Sequence, residues 1–213
     1  MRIICNNTGK SNFKQKIEEL KKFVIKKPKQ VDSEGKEIID EKSHNAEEHL
    51  KWFIQYILTK RLGPQSVALQ AIYIDMIREL HIAIQAMLKT QSVIGMTMHQ
   101  VSLIFKKCML LDEEEVSKHS GGQANIKSYV ASLGSFVGSL TIAKNEPIRV
   151  SHLDLKQILL EGFQVKNRKI AVIFVCRILK ESASSRVFNL RNPWINSLLM
   201  ILKEISTQAI LVN

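Results

Sequence analysis

The side chains able to bind metals or move protons are scattered along the chain. The six histidines are His44, His49, His81, His99, His119 and His152. A structural zinc site needs about four His or Cys ligands at short, characteristic spacing. His44 and His49 are five apart, off a common helical face, with no cysteine near them. The acidic run Asp112–Glu115 lacks the alternating ligands and central glycine of a calcium loop. Gly121-Gly122 is not followed at the required distance by the Lys-Ser/Thr pair of a phosphate-binding loop. Ser151 and His152 are sequence neighbours, which makes no triad, and no Gly-x-Ser-x-Gly elbow is present. Nor is there a clustered carboxylate set suited to two metal ions. Met96, Met98 and Met109 are most simply core or groove fillers. No catalytic residue, metal ligand or cofactor site is expected, and the chain is not expected to be an enzyme.

Without local chemistry, bulk properties carry more of the reading. The chain has 213 residues, enough to bury about 70% of the surface its unfolded form exposes. One domain over residues 1–213 is therefore expected. The longest apolar run, Ile170 to Cys176, is far short of a membrane span of about 18 residues, so no membrane association is expected. Cys5, Cys108 and Cys176 are odd in number and distant, which fits reduced thiols in a cytoplasmic or nuclear protein. The net charge of +11 favours anionic partners, either nucleic acid or an acidic protein face. Much of that excess lies between Lys14 and Lys29, which is more simply read as a solvated lysine-rich helix end.

The elements that would position any site read as helices throughout. Phe13, Ile17, Leu20 and Val24 recur at helical spacing after a capping Ser11. The pattern vanishes from about 26 to 47, an exposed, flexible loop by its composition. It resumes at Ala46 with Leu50, Phe53, Ile54, Ile57 and Leu58, and Gly63-Pro64 ends that helix. A further helix is predicted over about Ser66–His81. One or two more lie within 82–111, with a break at Gly95, and Asp112–Gln123 forms a second loop. The clearest helix follows, through Ile126, Tyr129, Val130, Leu133, Phe136, Val137 and Leu140. Gly134 and Gly138 lie on its path, and two such glycines on one face point to a closely packed neighbouring helix. Ser151 is the expected cap of the next helix, and another covers about Asn167–Ser184. Asn192-Pro193 is a cap-plus-first-turn signature for the last. Such a series closes poorly around one centre. It buries its faces more simply as an all-α solenoid of stacked antiparallel helical hairpins, of irregular HEAT-like kind, and a globular bundle is the alternative.

The segment SLTIAKNEPI, residues 139–148, is where the clearest helix must stop. Pro147 blocks continuation, and Asn145 suits a helix cap with Ile148 folding back. The same polar residues, Lys144 and Asn145, suit a loop presented to a partner.

These stretches resemble one family. Residues 133–148 are similar to a pattern LG-x-x-x-G-x-x-TLAKN-x-PI, and HLDLKQILLEG (152–162) to DLD-x-KSLLLEA. VCRILKESASSRVFNLRNPW (175–194) resembles V-x-K-x-LE-x-x-x-x-S-x-VF-x-x-x-NPW. NNTGKSNFKQKIEELK (6–21) and WFIQYILTKR (52–61) resemble NNLSQSN-x-x-QKVEELK and W-x-x-QY-x-x-x-KR. The likeness is to the central domain of the large Not scaffold subunit of the Ccr–Not deadenylase complex, of the type first described in the middle of initiation factor four-G. It spans nearly the whole chain, is closest in the C-terminal half, and is poor over about 63–124, and against it the loop of 26–47 looks like an insertion. It implies a piece of a far larger protein: a non-catalytic helical scaffold, cytoplasmic, bound to other Ccr–Not subunits. The expected partners are a Caf-type DEDD deadenylase and a DEAD-box RNA helicase, with roles in mRNA deadenylation, decay and translational repression. RNA contact is expected to be indirect. The resemblance implies a deadenylase contact at Thr141, Lys144, Asn145, Pro147 and Arg149. It implies a helicase contact at Arg61 and in the region of Asn125 and Ile126, where the family carries an acidic residue that has no acidic counterpart here. The competing reading is a direct RNA-binding helical-repeat domain.

Overall fold

The computed structural model describes residues 41–62, 67–85, 92–110, 122–164 and 168–211. The expected first helix around Phe13–Val24 and most of the 26–47 loop lie outside these residues. Among the described residues there is no strand. The chain forms α1 (Glu41–Tyr56), α2 (Val67–Gln85), α3 (Val93–Leu110), α4 (Gly122–Leu140), α5 (Leu155–Gln164), α6 (Arg168–Lys180) and α7 (Pro193–Leu211). A π turn, Ile57–Arg61, closes α1. Short 3₁₀ turns, Ile142–Lys144 and Glu181–Ser184, follow α4 and α6.

The helices stack as an all-α solenoid in two rows. In one row α2 packs on α4 and α4 on α6, and in the other α1 packs on α3 and α5 on α7. Contacts of α2 with α3, α3 with α4, and α5 with α6 join the rows. The core between them is mainly aliphatic, with Leu80, Val101, Leu133, Leu159 and Ile195 almost wholly buried. Phe105 of α3 stacks on Phe174 of α6, ring centres 4.3 Å apart.

The tightest contact is between α4 and α6, where the two glycines act as expected. A Cβ on Gly134 would lie 2.6 Å from the Phe174 carbonyl oxygen and 2.8 Å from Arg177 Cβ. One on Gly138 would lie 2.7 Å from the Ile178 carbonyl oxygen. The partners advance along α6 as the glycines advance along α4, so the two helices run parallel. Their C-terminal exits therefore emerge at the same end of the stack.

Several boundaries differ from the sequence reading, each for a local reason. Helix α1 begins at Glu41, within the expected loop. Its first turns are polar all round and give no periodic signal, although Glu and Lys are good helix formers. Gly95 breaks nothing: it is buried in the first turn of α3, and its N–H donates to the capping Ser92 Oγ at 3.0 Å. A glycine there avoids crowding the His152 ring, 3.1 Å from where a Cβ would stand. Helix α5 is capped by Asp154, whose Oδ1 accepts the Gln157 N–H at 3.0 Å, and not by Ser151. Ser151 lies in a turn closed by the His152 and Leu153 N–H groups on the Arg149 carbonyl. Residues 170–175 are helical, and Asn192 caps α7 as expected, its Oδ1 accepting the Trp194 N–H at 3.0 Å.

Gly134→Ala is expected to destabilise the fold. The substitution gains helix propensity of up to about 1 kcal/mol. It also forces a methyl group against a backbone carbonyl that cannot swing away, and overpacking of this kind costs about 1–3 kcal/mol. A lower midpoint in urea is the expected outcome, and an unchanged or raised midpoint would disprove the close approach. Removing the α7 cap with Asn192→Ala should cost about 1 kcal/mol, read the same way.

Candidate partner-binding site

Thr141 begins the loop that leaves α4. It is buried, and its Oγ1 donates to the Val137 carbonyl at 2.6 Å. Its hydroxyl thus serves the helix end, and the side chain shows almost no surface. Lys144 closes the 3₁₀ turn and is exposed. Asn145 then takes φ 62° and ψ 24°, the one positive φ for a non-glycine among the described residues. Its N–H donates to the Ile142 carbonyl at 3.0 Å, and the Glu146 N–H to the Thr141 carbonyl at 3.0 Å. These bonds use the last free carbonyls of the turn, as a left-handed cap does. Pro147 is exposed, Ile148 is buried and Arg149 is exposed. The segment is thus a helix stop with an exposed cationic rim.

Two anchors of this loop gave no signal in the sequence. Arg78 of α2 reaches it with one guanidinium nitrogen, 2.8 Å from Glu146 Oε1 and 3.3 Å from the Leu140 carbonyl oxygen. The second anchor is the stretch after α6. Asn145 Oδ1 accepts from Ser185 Oγ at 2.9 Å, from the Arg186 N–H at 2.9 Å and from the Val187 N–H at 3.1 Å. Ser185 Oγ in turn accepts the Phe188 N–H at 2.8 Å. Neither Arg78 nor Ser185 shows a periodicity or spacing that points forty or more residues along the chain. Only the Asn-x-Pro and Ser-x-Val-Phe pieces of the resemblance hint that the two segments matter together.

Beside this loop an open groove of about 730 Å³ runs between α2 and α6. Its floor is the small-residue face of α4: Ser128, Ala131, Ser132, Ser135 and Ser139. Lys144, Arg177 and Lys180 bring positive charge to it, opposed by Asp75 and Glu181. Lys144 therefore faces both the groove and the loop, whereas Arg149 is not among the groove's lining residues.

Arg61 is the last residue of the π turn, and Asn125 lies in the first turn of α4. The structure brings these two segments together. Tyr129, one turn after Asn125, donates its phenol O–H to the carbonyl of Leu58, one turn before Arg61, at 2.8 Å. Burial, aided by nearby Cys108, pushes the Tyr129 phenol above its ordinary range, so it stays a donor at any physiological pH. Burial also raises the Cys108 thiol, which keeps it protonated, and partial burial raises that of Cys176, an exposed residue. Among the described residues no group of His, Cys, Asp and Glu side chains is arranged to hold a metal ion. No described helix is long and apolar enough to cross a membrane.

Comparison with known proteins adds identity to this geometry. The chain is 23% identical over 206 residues to the "General negative regulator of transcription subunit 1" of Saccharomyces cerevisiae, covering 97% of this chain and 8% of that protein. It is 28% identical over 166 residues to the protein of the same name in Schizosaccharomyces pombe, covering 78% of this chain and 7% of that one. It is 24% identical over 209 residues to the "CCR4-NOT transcription complex subunit let-711" of Caenorhabditis elegans, covering 96% and 7%. The chain thus spans less than a tenth of the length of these relatives. The sequence model described as "CCR4-NOT transcription complex subunit 1 CAF1-binding domain" matches residues 27–212, and the chain belongs to that family.

Proposed function

We propose that this chain is a non-catalytic scaffold segment of a Ccr–Not large subunit, acting in the cytoplasm. It holds a Caf-type DEDD deadenylase and, at a separate place, a DEAD-box RNA helicase. In doing so it supports mRNA deadenylation, decay and translational repression. The observation that carries the deadenylase part is the family match, which covers both the α4 exit loop and the stretch after α6. Lys144, Pro147 and Arg149 are exposed on a loop that Arg78 and Asn145 hold in place, which is what a preformed docking surface requires. Thr141 contributes by shaping the loop. For the helicase, the Tyr129–Leu58 bond supports a composite site, because it joins the segments that carry Arg61 and Asn125. RNA contact is indirect in this reading, made by the enzymes the scaffold holds.

Lys144→Ala combined with Arg149→Glu is expected to weaken binding of the cognate Caf-type subunit at least about tenfold, or about 1.4 kcal/mol. Thermal stability should stay within about 0.5 kcal/mol, the usual range for exposed side chains. Isothermal calorimetry on nuclease-treated proteins reads both affinities. Unchanged affinity in the double variant would move the deadenylase elsewhere on the solenoid. Pure protein incubated with Mg²⁺ and labelled poly(A) should leave the tail intact. Shortening that survives repurification would overturn the non-catalytic reading.

A further inference from the structure

Asn145 does more than stop a helix. At φ 62° a glycine would serve the backbone equally well. What glycine lacks is the carboxamide oxygen, and here that oxygen accepts three donors from a segment some forty residues away. The N–H groups of Arg186, Val187 and Phe188 all bond to side-chain oxygens, of Asn145 and Ser185, and not to backbone. This short stretch between the 3₁₀ turn and α7 has no ladder or helix of its own to fix it. Its downstream end is tied by the Asn192 Nδ2–H on the Val187 carbonyl at 3.1 Å and by the edge-on contact of Phe188 with Trp194. Asn145 supplies the tie at the upstream end.

The pinned stretch presents a consistent surface. Val187 and Leu190 are 53% and 69% exposed, and Val150, on the turn beyond Pro147, is 65% exposed. Lys144, Arg149, Arg186 and Arg191 are all exposed on the same two segments. The nearest carboxylate on these segments, Glu146, is engaged by Arg78. Because α4 and α6 run parallel, both segments sit at one end of the stack.

We infer that the two segments form one composite docking surface, with Val150, Val187 and Leu190 as its apolar centre and Lys144, Arg149, Arg186 and Arg191 as its cationic rim. Asn145 is the positioning residue that locks them in register. The partner it fits is a folded protein face with an apolar patch edged by carboxylates. Three exposed aliphatic side chains among the cations favour a protein over a phosphate backbone, which offers them nothing to bury against. The inference rests on the deadenylase reading and extends it to residues outside the α4 exit loop.

Two sets of variants of the 213-residue chain test it. Arg186→Glu with Leu190→Asp changes only exposed side chains, and should weaken deadenylase binding at least about tenfold with the fold intact. Asn145→Gly keeps the left-handed backbone and loses the acceptor. It should speed amide exchange at Arg186 and Val187 by about tenfold or more, as expected for loss of local protection. It should weaken binding severalfold with little change in melting temperature, because water can serve these exposed amides. Asn145→Asp restores the acceptor and should keep both amides protected. Deadenylase binding that survives Arg186→Glu with Leu190→Asp unchanged overturns the composite surface. Unaltered amide exchange in Asn145→Gly overturns the role of Asn145. A poly(A) oligonucleotide that binds the wild-type chain, and loses binding on the Arg186→Glu change, would assign the surface to RNA instead. Failure of the wild-type chain to bind the deadenylase at all removes the underlying reading and the composite surface with it, and leaves the exchange result to judge Asn145 alone.

Discussion

Everything at the end where α4 and α6 exit depends on how closely the two helices approach. Two helix backbones can touch this way only where no side chain intervenes, and Gly134 and Gly138 clear that space one turn apart. The contact sets the spacing of the two 3₁₀ turns that follow these helices. That spacing in turn lets an amide as short as that of Asn145 reach three donors. The three donors stand 2.9, 2.9 and 3.1 Å from that oxygen, inside the usual hydrogen-bond range, so a wider spacing of the two exits would lengthen these bonds. The close approach thus has a structural cost in helix propensity and a return in the geometry of the loops.

Helices were legible in the sequence wherever an apolar face repeated. The faces read for α1 with the π turn after it, and for α4, match the buried residues Leu50, Ile54, Leu58, Leu133, Phe136 and Val137. Ends were less legible, because capping is decided by one side chain and its immediate geometry. Asp154 and Ser151 are both good caps by type. Only the turn on Arg149, with Leu153 buried behind it, selects Asp154. Gly95 misled for the opposite reason: it looks like a break, and it is a close contact with His152.

The candidate site was half legible. The polar exit of α4 stands out as an excess of chemistry for a simple stop, and its capping function followed from Asn145 and Pro147. Its ties did not follow. Arg78 sits on α2 in an ordinary amphipathic pattern, and Ser185 follows a short 3₁₀ turn, so neither marks itself. Contacts between distant segments need the tertiary frame first, and the frame here comes from a glycine pair whose partner helix the sequence does not name. The Tyr129–Leu58 bond is of the same kind: it joins the two places that carry Arg61 and Asn125, and nothing local announces it.

The side-by-side rows also bear on how the chain reaches this shape. Among the described residues, the principal contacts are all between helices at most three apart in order along the chain. Loop-closure entropy is small for such neighbours, so each added hairpin finds its seat on the one already formed. Assembly can then proceed stepwise as the chain leaves the ribosome, without waiting for a distant segment. The pin at Asn145 is a late event in that order, since α4 and its exit loop are complete well before the stretch after α6 is made. Until then the carboxamide oxygen faces water, and the end of the growing stack lacks the fixed surface it later carries.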